Sequence, residues 1–128
     1  MKPLCEIIVL DVMPAARALI AKDLVEKHGL TQAAAAKKLG MTQPAISQYR
    51  RNLRGGKAGI MEKDGEVMGK INSIAERIAR GELSHVDATN EFCEICKLMR
   101  RRLLLCETHK KYVAGLDNCR ICEKKAVC

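Results

Sequence analysis

The sequence predicts an all-α chain, and two observations carry that prediction. Along most of its 128 residues apolar side chains return at intervals of three and four, the period of a helix buried on one face. The periodic stretches also start at capping residues and stop at glycines, as helices do. With one Phe, two Tyr and no Trp, the core must be built from Ala, Ile, Leu, Val and Met. The expected arrangement is an N-terminal helical unit over residues 1–58, then further helices and a small cysteine-rich module over residues 59–128.

The elements follow in order. In residues 5–29, Ile8, Val12, Ala15 and Leu19 share a face, with Ala18, Lys22 and Val25 beside them. Pro14 starts or kinks a helix there, and Gly29 ends it after a basic last turn. The β-branched run Ile7–Val9 could alternatively form a short strand. Two short helices come next, TQAAAAKKLG and MTQPAISQYRRN, with a tight break at Gly40. Residues 54–59 hold three glycines and read as a linker or wing. Glu66–Arg80 is amphipathic, with Val67, Ile71, Ile74 and Ile78 on one face and Gly81 as its stop. Ser84 and Asp87 open a last long helix in capping-box fashion. It runs through Leu98 and could reach Leu105. The remaining 23 residues show little periodicity.

The pair of short helices has a specific chemistry. Thr31 and Thr42 are good N-caps. Ala33–Ala36 are small enough to let a second helix cross closely. Leu39 plugs the space before the turn, Gly40 can take the positive φ a turn needs, and Pro44 sits where a missing N–H costs nothing. Ile46 points back to the core one turn beyond Thr42. This is a helix-turn-helix over about residues 31–52, whose second helix enters the major groove. Gln43 and Ser47, one turn apart, face base edges, and Gln can pair bidentately with adenine. Gln32 and Thr42 suit phosphate contacts at helix N-termini. Pro44 and Gln48 belong to the same outer surface. Arg50, Arg51, Arg54 and Lys57 suit contacts that neutralise the backbone without specifying sequence. An ordinary helical hairpin would need all these features to coincide.

Charge supports the same reading. The net charge is +8, yet from Lys27 to Met61 there is no Asp or Glu, and the seven basic residues there make +7. The other 93 residues carry 16 basic and 15 acidic side chains. Excess confined to one segment is the footprint of a polyanion partner. No apolar run is long enough to span a bilayer, and no signal-peptide layout is seen, so a cytoplasmic protein is expected. No Ser/His/Asp set, phosphate-cradling glycine loop or paired carboxylates appear, so neither an enzyme nor a small-molecule substrate is expected.

Seven cysteines in such a chain argue for metal ligation over disulfides. The pattern is Cys93-x2-Cys96-x9-Cys106-x2-His109-x9-Cys119-x2-Cys122, with Cys128 at the end. Two CxxC pairs and a CxxH suit zinc, which takes four S or N ligands, and also iron–sulfur clusters, held by thiolates. Ligand pairs on a helix, without the usual glycine after the second Cys, favour a 4Fe–4S cluster over zinc. The expected ligands are Cys93, Cys96, Cys106, Cys119 and Cys122, one more than a cluster needs, with His109 a further candidate. Cys5 is expected in the core, and Cys128 as a terminal thiol.

The stretch from Leu30 to Asn52 resembles the helix-turn-helix of Xre/Cro-type repressors. Together with the start around Pro3–Ile7 and the later CEIC, LCxxH and CxxC motifs, nearly the whole chain resembles small archaeal predicted transcriptional regulators. The resemblance implies a DNA-binding regulator. Pro44 departs from the usual recognition helix and would shift how deep that helix sits. A single reader covers few base pairs, so a homodimer on half-sites about 34 Å apart is expected, paired through the helices of residues 66–80 and 84–105. The alternatives are a regulator with a purely structural zinc, a zinc-stapled architectural nucleic-acid-binding protein, and an electron carrier.

Overall fold

The computed structural model describes residues 2–52 and 58–124, and no strand occurs among them. The order is α1 (Leu4–Ile7), a π-helical turn (Ile8–Val12), α2 (Met13–Glu26), α3 (Gln32–Leu39), α4 (Gln43–Asn52), α5 (Ala58–Glu62), α6 (Gly65–Ala79), α7 (His85–Arg101), α8 (Cys106–Lys110) and α9 (Ile121–Lys124). The strand considered for Ile7–Val9 is not formed: Ile7 closes α1, and Ile8 and Val9 open the π turn. Pro14 explains that turn. It has no N–H for the Leu10 carbonyl and its ring crowds that carbonyl. Widening the helix by one residue per hydrogen bond absorbs the misfit just before α2.

α2 is the central helix. Ala15, Ala16, Leu19, Ile20 and Leu24 enter the main core, while Ala21 turns to a second, small cluster with Ala36 and Ile46. Burial on several sides follows from its neighbours, since it packs on α3 and α4 as well as on α5 and α6. α6 presents Val67, Ile71, Ile74, Ala75 and Ile78 to the main core. The Val and Ile side chains among them, fully buried, contribute about 1.5–3 kcal/mol each. This corrects one expectation. The apolar face of residues 66–80 is used within the chain, against α2 and α7, and is not left open for a second copy.

The glycine-rich boundary is also more structured than expected where it is described. Residues 53–57 lie outside the described residues, but Ala58 and Met61 of α5 are fully buried in the main core. That core therefore draws on both sides of residue 58. α7 stops at Arg101, short of Leu105, because Leu103 takes φ 56°. The chain closes there with the Leu104 amide on the Met99 carbonyl and the Leu103 amide on that of Arg100, at 3.0 Å each, a Schellman-type end carried by a residue with a Cβ. A clasp joins this end to α6. Asp64, its N-cap, accepts from the Glu66 and Val67 amides at 3.1 Å each and from Arg102 Nε at 2.6 Å.

Candidate nucleic-acid interface and metal centre

α3 and α4 are built as their residues dictate. The Thr31 hydroxyl accepts from the Ala34 amide at 3.1 Å, and the Thr42 hydroxyl from the Ala45 amide at 3.3 Å. Each fills a donor that a helix start leaves open. Gly40 has φ 65° and its amide returns to the Lys37 carbonyl at 3.3 Å. Ile46 is wholly buried between Ala21 and Ala36, with Leu39 and Met41 at the rim. The small alanines let α4 approach α2 and α3 closely, and Ile46 fills the gap that remains.

Locking Ile46 inward decides what faces out. Thr42, Gln43, Pro44, Gln48 and Arg51 are exposed, while Gln32, Ser47 and Arg50 are half-buried. Gln43 and Ser47 lie one turn apart on α4, the spacing needed to address neighbouring base edges. Two of the basic residues also make contacts within the chain. Arg51 Nε reaches the Ser47 carbonyl at 3.5 Å, and Arg50 pairs with Glu26 at 3.4 Å. Glu26 stands one residue outside the acid-free stretch, so the fold returns a carboxylate to a segment that lacks one in sequence. Lys37, exposed at the end of α3 beside the turn, adds a cation the site prediction omitted, although it belongs to the same basic stretch. Arg54 and Lys57 lie outside the described residues.

The cysteines divide. Cys106, His109, Cys119 and Cys122 line one small cavity of about 20 Å³, together with Arg100 and leucines including Leu103. Cys93 and Cys96 do not line it: Cys93 is exposed on α7, and Cys96 is buried in the main core. Cys5 is exposed on α1, not in the core as expected, and Cys128 lies outside the described residues. The Cys106 thiol is pushed up by burial first and then by the neighbouring Cys122 and Cys119 sulfurs. Among the described residues no three of His, Cys, Asp and Glu already stand in coordinating geometry.

His109 makes a long-range contact that the sequence does not announce. Its Nε2 lies 3.1 Å from the Lys2 carbonyl. A carbonyl only accepts, so Nε2 carries a proton, and Nδ1 takes no part in this contact. Two further contacts bind the same corner: the Tyr112 hydroxyl donates to Asp11 at 3.0 Å, and the Lys2 ammonium lies 4.9 Å from the Tyr112 ring centre. The cysteine-rich end is thereby fastened to the N-terminus.

No helix among the described residues is long and apolar enough to cross a membrane. No curated protein and no solved structure matches the chain. A helix-turn-helix family model matches residues 22–55, from the second half of α2 through α4. The capped helices, turn glycine and outward Gln43 thus fall within the stretch, residues 22–55, that is similar to an Xre-like helix-turn-helix DNA-binding domain.

Proposed function

We propose that this chain is a homodimeric, sequence-specific transcriptional regulator. It reads double-stranded DNA with α4, and its C-terminal cysteines hold an inorganic centre whose loading tunes that binding. The observation that carries the reading is the orientation of α4: Ile46 is fixed inward by Ala21 and Ala36, and this leaves Gln43 exposed with the half-buried Ser47 one turn on. Around them the segment 27–61 supplies only basic charge, which positions a reader on phosphates while the two polar side chains select bases.

Selection from random duplexes tests this. A recurring sequence with two related half-sites should emerge. Gln43→Ala should then weaken binding to that sequence by about 1–3 kcal/mol, the worth of one bidentate contact, while binding to random DNA stays nearly unchanged. Equal affinity for selected and random duplexes, falling steeply with salt in both, would instead describe an architectural protein held by counterion release alone. It would overturn the regulator reading.

A further inference from the structure

We infer that Cys106, His109, Cys119 and Cys122 bind a single tetrahedral zinc ion, and that Cys93 and Cys96 are not ligands. The inference rests on the reading that the C-terminal cysteines hold an inorganic centre, and it identifies the donors and the metal.

Four observations converge. The first is placement. The four residues come from two x2 pairs, 106/109 and 119/122, and all four line one cavity, while the first CxxC of the sequence does not reach it. The second is size. A cavity of about 20 Å³ is close to the 10–15 Å³ or so that one water occupies. It suits one ion with Zn–S near 2.3 Å and Zn–N near 2.0 Å once the side chains close on it. A 4Fe–4S cluster takes four thiolates, and this cavity offers three and an imidazole. The third is His109. Zinc-binding histidines usually give their second ring N–H to a carbonyl or carboxylate, which fixes the tautomer. His109 already donates Nε2–H to the Lys2 carbonyl, so Nδ1 is the nitrogen left to bind. The fourth is how little of these two helices is buried. α8 and α9 are five and four residues long, Thr108 is the one buried residue of α8, and α9 has none. Helices this short do not hold themselves, and small modules without a core are commonly stapled by a metal.

The surroundings also fit the charge. Three thiolates and Zn²⁺ leave one net negative charge, and Arg100 lines the same cavity. Zinc binding displaces the three thiol protons to solvent, with no electron transferred. The unusual φ of 56° at Leu103 belongs to the same construction. It turns the chain sharply off α7, so that Cys106 starts the next helix beside the cavity. Such backbone strain, of order 1–3 kcal/mol, persists where the surroundings over-determine it.

The test uses the full chain, purified anaerobically after growth with both iron and zinc, with zinc, iron and acid-labile sulfide measured. One zinc per chain and no sulfide is expected. Cys93→Ser should keep one zinc. Cys106→Ser, His109→Ala, Cys119→Ser and Cys122→Ser should each weaken zinc at least tenfold in competition with a chelator. His109→Cys should restore it, and the Co²⁺-loaded form of that variant should show stronger thiolate-to-metal absorption, as four thiolates replace three. Alkylation of the zinc form should label Cys5 and Cys93 and spare Cys106, Cys119 and Cys122. Loss of zinc in Cys93→Ser, or labelling of the three spared thiols, would overturn the ligand set. Iron with stoichiometric sulfide would overturn the zinc assignment yet leave the inorganic centre standing. A chain that binds neither metal would remove both readings.

Discussion

Ile46 is the most informative single residue to truncate. It is fully buried in a cluster whose other buried members are Ala21 and Ala36. Truncating a buried Ile to Ala costs about 2–5 kcal/mol, the sum of lost burial and the cavity left behind. The walls decide where in that range it falls. Two alanines have no side chain that can swing in, which pushes the cost up. Met41 at the rim is flexible and can relieve part of it. The expected loss for Ile46→Ala is therefore about 3 kcal/mol, with Ile46→Val losing about 1 kcal/mol. A loss of 3 kcal/mol falls on the docking of α4, and it shifts the ratio of docked to loosened α4 by more than about a hundredfold, at 1.4 kcal/mol per tenfold. Urea denaturation followed by circular dichroism reads the stability, and fluorescence anisotropy on the selected duplex reads DNA binding. Both should fall together, with Ile46→Val between wild type and Ile46→Ala. An Ile46→Ala protein that loses under 1 kcal/mol, or keeps full DNA affinity, would show that α4 is not held by this side chain.

Glu26→Gln should release Arg50 from its 3.4 Å ion pair and remove a negative charge near the DNA face. DNA affinity is expected to rise about two- to fivefold at low salt, the scale of an exposed pair, and the gain should vanish as salt rises in an anisotropy titration. Gly40→Ala should cost about 1–2 kcal/mol for the left-handed backbone alone, and its Cβ would come within 2.9 Å of the His85 ring, so thermal melts should show clear destabilisation. Asp64 is held below the usual carboxylate range, chiefly by the Val67 amide and further by Arg102 and the Glu66 amide, with partial burial opposing them. Its folded pKa is thus the lower one, and its contribution is present above the unfolded value near 3.9 and lost as pH falls through the folded value. Asp64→Asn should therefore be less stable than wild type at pH 7, with the gap closing below about pH 4 in parallel melts.

The helix-turn-helix was legible because its signals are local. Thr31, Gly40 and Thr42 act within three residues of themselves, through caps and one backbone angle. Ile46 follows from their spacing by helical period alone. The π turn was half legible: Pro14 announces a disturbance, but not whether the helix breaks or widens. What sequence could not show are contacts between distant residues. Glu26 meets Arg50 across 24 positions, and His109 meets Lys2 across 107. A lysine-flanked histidine reads as a surface residue until its carbonyl partner is known. The surroundings of the cysteines were hidden for a related reason. Regular spacing makes all six residues from Cys93 to Cys122 look equivalent, whereas the rotation of α7 leaves Cys93 exposed and Cys96 buried in the core. Amphipathicity likewise shows that residues 66–80 bury a face, without saying whether α2 and α7 or a second copy covers it.

α7 connects the two halves of the proposed function. Its 17 residues span about 25 Å at 1.5 Å per residue. At its start, His85 lies against Gly40, so closely that the turn has no room for a Cβ. At its end, the Leu103 turn leads directly to Cys106 and the cavity. Ion pairs hold the rod to the scaffold between these points, Arg77 with Glu91 and Arg102 with Asp64 and Glu66. On the proposed reading, a metal closing on Cys106 and His109 would pull on the Leu103 turn, and α7 would carry that pull toward its start. The receiving contact is the turn between α3 and α4, not the face of α4 that carries Gln43 and Ser47. Loading the centre should therefore change how each reader is aimed more than what it reads. In a dimer that appears as altered preference for half-site spacing, with the half-site sequence itself retained. Selection at fixed half-sites with variable spacers, run on metal-loaded and metal-free protein, separates this from simple unfolding. Unfolding would lower affinity for every spacer equally, whereas re-aiming would lower some and raise others.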